Sequence, residues 1–249
     1  MGRSFWLAAA LLAAAPLPVT AQTSGAKQEI KAPSAEAIAL ARLMSPRDLL
    51  IEMEVREFDK NFVSSLRADP DVKSLDDEYP GLIEAMHKAS RGLVAEATAR
   101  SVDKIHVAVS QLIDANFTPA DISELSEFYR SPTGMKTIRQ MAANADASKI
   151  YERAVQEDDF KLTAEQISSQ LDENARKTAA SFTPEETTQM VLFMAKPSFI
   201  KLAKAQPDIQ KLLADEFNAP DPEFDKQIET VMGAAVEQHL ASFEKSGGK

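Results

Sequence analysis

The chain contains no cysteine. Disulfides, thiolate metal sites, nucleophilic thiols and a lipid-modified N-terminal cysteine are all excluded by that one absence. Glycine is scarce too: between residues 35 and 243 only Gly81, Gly92, Gly134 and Gly233 occur. No glycine-rich phosphate loop can be built from them. Tryptophan occurs once, as Trp6. Alternating apolar and polar residues, the mark of a half-buried strand, are missing after the first 34 residues. Basic residues number 28 against 38 acidic ones, for a net charge of −10 at pH 7. Phosphate contacts need a basic face, so a nucleic acid is not an expected partner, and the charge is read as solubility.

Catalytic patterns are equally sparse. His87, His106 and His239 lie far apart, and none belongs to an H-E-x-x-H pairing. S-x-x-K occurs at Ser101–Lys104, Ser198–Lys201 and Ser242–Lys245, without the S-D-N and K-T-G segments that accompany it in penicillin-binding enzymes. Asp69, Asp71 and the acids after them suggest a calcium loop. Lys73 stands at its fifth position, Ser74 in place of its glycine, and Pro80 where the bidentate glutamate belongs. Asp69 to Pro80 is therefore read as a solvated acidic loop. No catalytic, cofactor-binding or metal-ligating residue is assigned, and no cofactor is expected.

What is present begins with an export signature. Arg3 precedes an apolar run from Phe5 to Ala15, which Pro16 and Pro18 break, and Val19-Thr20-Ala21 supplies small residues for cleavage. The run is too short to span a bilayer as a mature helix. Residues 1–21 are therefore expected to be a cleavable signal peptide, and the mature chain to be periplasmic or secreted. Later apolar runs, such as Val191 to Ala195, are far too short to cross a membrane, so no transmembrane segment is expected after signal removal.

Residues 22–34 are polar and alanine- and lysine-rich, and are read as a flexible lead. Beyond them Ala, Leu, Glu, Gln and Lys, all helix formers, dominate at helical spacing. Ser45-Pro46, Thr118-Pro119 and Thr183-Pro184 read as N-caps followed by Pro at the first helical position, and Thr163 with Gln166 as a capping box. The fold class is all-α, a bundle of antiparallel helical hairpins. Residues 35–157 read as a first helical domain, 158–243 as a second, and 244–249 as a tail, with the charged stretch Gln156 to Leu162 between the halves.

One phrase occurs twice, 65 residues apart: Phe117-Thr118-Pro119, Phe128, Pro132, Lys136, and Phe182-Thr183-Pro184, Phe193, Pro197, Lys201. This is read as a duplicated helix–turn–helix unit. Ile122, Leu125, Phe128 and Tyr129 share a face of the first copy, with Met135 and Ile138 facing back. Met190, Phe193 and Met194 form the matching stripe of the second, with Ile200 and Leu202 on its second helix. The threonine start, the acidic first turn, Phe128-Tyr129, Ser131-Pro132, Gly134 and Lys136 resemble the bacterial family known as domain of unknown function 2059, over residues 117–136 and, less closely, about 93–145. The resemblance implies a small all-helical exported protein and carries no established activity. The second copy loses the polar signature, with Met194 for Tyr129, Ala195 for Arg130, Lys196 for Ser131 and Phe199 for Gly134.

Tyr129, Arg130, Ser131 and Gly134 admit two readings. One is a packed corner, where each residue has a local folding role. The other is a ligand or partner contact, with Tyr129 and Arg130 beside the amides of a helix N-terminus. At the level of function, a non-enzymatic helical module binding a protein, peptide or envelope component is expected. The alternative is an envelope hydrolase with carboxylates and Tyr129 in a cleft between the two copies.

Overall fold

A computed structural model describes residues 32–148, 150, 153 and 160–245. The signal peptide, its cleavage site, the lead as far as residue 31, most of the charged linker and the last four residues lie outside the described residues. Ten helices are delimited: α1 (Ala35–Met44), α2 (Arg47–Ala68), α3 (Pro70–Glu78), α4 (Leu82–Asn116), α5 (Pro119–Arg130), α6 (Pro132–Ala143), α7 (Ala164–Ala179), α8 (Pro184–Met194), α9 (Pro197–Asn218) and α10 (Pro222–Lys245). No strand occurs among the described residues. The fold is an all-α bundle.

Three of the starts arise from side-chain capping as expected. The hydroxyls of Thr118, Thr163 and Thr183 accept from the amides of Asp121, Gln166 and Glu186, and each of those side chains returns a bond to the cap's own amide. Two expectations are corrected. Ser45 does not cap α2: the helix begins one residue later, behind Pro46, and the Ser45 hydroxyl donates to the Ala41 carbonyl 2.7 Å away, closing α1 instead. Asp69 to Pro80 is not a loop. The Asp69 carboxylate accepts from the amides of Asp71 and Val72 and starts α3, with Pro70 at its first position. Asp-Pro works here as Thr-Pro works elsewhere, satisfying amides that the helix itself leaves unpaired. Gly81 then turns the chain at φ 93°, a left-handed conformation that L side chains rarely adopt, and its carbonyl accepts from Ala85 at the start of α4.

The 35-residue α4 is the spine. Ile105, Val109 and Ile113 lie on the same unbroken helix as Leu82 and Val94. α2 and α10 pack along it, α1 lies against both α4 and α5, and α9 reaches it from the second half of the chain. A small cluster of Val55, Phe58, Val94, Ala97 and Phe224 joins α2, α4 and α10. The main core draws buried residues from Ala37 in α1 to Phe217 in α9, and so runs through both halves.

Candidate functional site

The two hairpins, α5–α6 and α8–α9, meet face to face, and their contacts are reciprocal. Lys201 Nζ lies 2.5 Å from Asp121 Oδ2, the carboxylate that closes the first capping box. Lys136 Nζ lies 2.6 Å from Glu186 Oε2, the carboxylate that closes the second. The Ser198 hydroxyl donates to Glu124 at 2.5 Å, and the Thr133 hydroxyl donates to the Gln189 side-chain oxygen. In each pair the two contacts exchange under the 65-residue offset: 121 with 186, 136 with 201, 124 with 189, 133 with 198. Between them the rings of Phe128 and Phe193 stack at 3.6 Å between centroids and 5° between planes. Such mutual contact between matching residues is the pattern of a twofold interface.

The seam is electrostatically closed. Lys201 and the Thr118 cap hold the Asp121 carboxyl down to about 2. The Ser198 hydroxyl and Lys196 push Glu124 below the ordinary carboxylate range, and Lys136 and Thr183 do the same for Glu186. All three acids are engaged by donors that favour the charged form.

Tyr129 is 1% exposed, and its hydroxyl has no hydrogen-bond partner among the described residues. Burial pushes the phenol well above its ordinary value. The side chain sits in the main core beside Phe128 and Phe193. Ser131 caps α6, its oxygen accepting from the Gly134 amide at 3.1 Å. Gly134 is buried, and a Cβ there would stand 2.8 Å from Tyr129 Cα and closer still to the Phe128 carbonyl oxygen. Arg130 is exposed. Tyr129, Ser131 and Gly134 thus have identifiable local roles, and Arg130 alone of the four is exposed.

The second hairpin carries a feature that sequence reasoning placed in the core. α8 buries Phe193 and no other residue fully. Val191 is 59% exposed, Leu192 64% and Met194 37%, and Ile200 on α9 is 40% exposed. Met194 and Ile200 are therefore not core, and neither is Met135 of the first hairpin at 44%. A legible signal existed in the comparison of the two hairpins. Glu127 and Arg130, exposed in the first, are replaced by Leu192 and Ala195, also exposed, in the second. Polar-to-apolar exchange at a solvent position is not what core packing selects.

Elsewhere an open groove of ≈ 480 Å³ lies between α2 and α4, with Asp48, Glu52, Arg56, Asp59 and Arg91 among its lining. Its Asp59 is engaged by His87 at 2.9 Å and by Arg91 at 3.1 Å, and Arg56 donates to the Ala142 carbonyl at 2.9 Å. Among the described residues no group of three His, Asp or Glu side chains is placed to hold a metal ion, and no helix is long and apolar enough to cross a membrane.

No curated protein and no solved structure matches the chain. The whole second hairpin lies beyond the family-like segment. Residues 103–157, covering the end of α4, the first hairpin and the chain just beyond α6, match the family model described as "Uncharacterized protein conserved in bacteria (DUF2059)".

Proposed function

We propose that this is a non-catalytic helical module, exported to the periplasm, that binds a protein or peptide through the apolar surface of its second hairpin. The observation that carries the reading is the exposure of Val191, Leu192 and Met194 on one short helix. Large apolar side chains grouped on a surface mark interaction sites more often than isolated ones do. The carboxylates of the seam are engaged within it, which supports the binding reading. Asp121, Glu124 and Glu186 are occupied by lysines and hydroxyls across the seam. The Tyr129 hydroxyl faces the core. The export signature of residues 1–21 supports the location.

The test separates binding from folding. Val191→Asp combined with Leu192→Lys removes apolar area that contributes nothing to the core, so stability should change by no more than about 0.5 kcal/mol. Crosslinked complexes of the mature protein in the cell envelope should disappear. Complexes that survive the double substitution, or a protein that melts early because of it, would sink the proposal.

A further inference from the structure

The twofold reciprocity of the hairpins makes one half of the molecule a template for the other. Under the 65-residue offset α5 corresponds to α8, α6 to α9, and the end of α4 to α7. Each central helix touches its own hairpin partner: α5 packs on α6, and α8 on α9. Each crosses to the other hairpin: α5 packs on α9, and α8 on α6. The flanking helices cross likewise, α4 to α9 and α7 to α6. The packing of α1 along α5 lacks a counterpart: among the described residues no helix packs along α8 in the same way.

The consequence is visible residue by residue. Ile122, Leu125, Ser126 and Tyr129, the inner face of α5, are all buried. Their counterparts on α8 are Thr187, Met190, Val191 and Met194. Thr187, Val191 and Met194 are exposed, and Met190 is only half-buried. The face that α1 covers in the first hairpin stands open in the second. It has also been widened, because Leu192 replaces the solvent-facing Glu127 along its edge.

We infer that the open face of α8 is a docking site for an amphipathic helix of a partner protein, of the same chemistry as α1. This rests on the binding reading above and names its ligand class. The template specifies the ligand's apolar face: α1 buries Ala37, Leu40, Ala41 and Met44, which stand at i, i+3, i+4 and i+7. Small residues there allow close approach, and Leu and Met fill the gaps between helices. The template also predicts a weaker grip than in the first hairpin. Ser34 at the head of α1 is held by Asp114, which receives both its amide, at 2.5 Å, and its hydroxyl, at 2.6 Å. Ala179 stands at the position matching Asp114, so no equivalent anchor exists. The docked helix is therefore held by apolar contact and exchanges readily.

The experiment uses the full mature chain, residues 22–249, and a labelled peptide of residues 34–45 as the probe. The face on α5 is already filled by the chain's own α1, whose tether gives it a high effective concentration. Added peptide has only α8 to occupy. Fluorescence anisotropy should show saturable binding, weakened at least ten-fold by Val191→Asp with Leu192→Lys, and at least ten-fold weaker for a scrambled peptide that breaks the i, i+3, i+4, i+7 stripe. No binding, or equal binding of the scrambled peptide, overturns the helix-docking inference. So does a concentration-dependent dimer that blocks the peptide and is lost in the double variant, because the occupant is then a second copy. If the peptide fails while the envelope complexes still depend on Val191 and Leu192, the binding reading stands and only the helical ligand falls.

Discussion

At the scale of single residues, Gly134 and Tyr129 carry opposite lessons. Gly134 sits where α6 turns back beneath the end of α5, and the obstacle to any side chain there is backbone rather than a movable rotamer. Gly134→Ala should cost about 3 kcal/mol or more, at or beyond the upper end of what overpacking typically costs, and a denaturant melt will show it. The second hairpin carries Phe199 at the matching position after a turn of the same plan: Ser131 and its match Lys196 are each the extended residue before the proline that opens the next helix. The Phe199 ring then packs edge-on against Phe193, with centroids 5.0 Å apart. Tyr129 presents the reverse case. Its ring is fully buried, and its hydroxyl is buried without a partner among the described residues, an arrangement that costs free energy of order 1–3 kcal/mol. Tyr129→Phe keeps the ring and removes the orphan, so it should leave stability unchanged or raise it by up to about 1 kcal/mol. A clear loss on removing the hydroxyl would mean that the oxygen has a partner.

At the scale of elements, the two hairpins depend on one another through the Phe128–Phe193 stack. Phe193 is buried, and its truncation to alanine should cost about 3–5 kcal/mol. Phe128 is only partly buried, so Phe128→Ala should cost less. The two rings stack directly on one another, so the double variant should be less destabilised than the sum, by about 0.5–1.5 kcal/mol. Strict additivity would show that the rings pack independently. Helix positions were legible in the sequence wherever a Thr cap and a Pro stood together, because that pair solves the local problem of unpaired amides. The reading failed where another residue did the same work. Asp69 begins α3 in what looked like an acidic loop, and Ser45 ends a helix in what looked like the start of one. The face of α8 could not be read from its own pattern, because Met190, Phe193 and Met194 have the spacing of a buried stripe. Its exposure is a matter of tertiary packing: among the described residues no helix packs along α8 as α1 packs along α5. Tyr129 is polar by type, but its ring packs edge-on against Phe128 and Phe193 in the main core, and Phe193 arrives from the other hairpin.

At the scale of the molecule, the halves are joined by one core and by an ionic seam whose protonation can be followed. Asp121 is held at about 2 by Lys201 and Thr118, and Asp146 at about 2 by Ser148 with help from Lys60. Folded values below the unfolded carboxylate range mean that these groups contribute stability above about pH 4, and that the contribution is lost as pH falls through about 2. His106 adds an earlier stage. It is 3% exposed, its Nε2 donates to the Ser45 carbonyl at 2.8 Å, and burial pushes its value below the ordinary one. The unfolded chain protonates this histidine more readily, so stability should begin to fall as pH drops below about 6.5. Lys201→Met isolates the later stage. Its partner Asp121 is largely enclosed by the seam, while Lys201 is itself 44% exposed, so the pair's worth is screened and the loss near pH 7 should be about 1 kcal/mol or less. Protonating Asp121 removes the same interaction from the wild-type chain. Urea melts at stepped pH should therefore show the wild type and the variant diverging above pH 4 and converging toward pH 2. A gap that persists unchanged to pH 2 would mean that Lys201 contributes through its aliphatic packing on α5, and that the charges across the seam set the register of the hairpins without stabilising them.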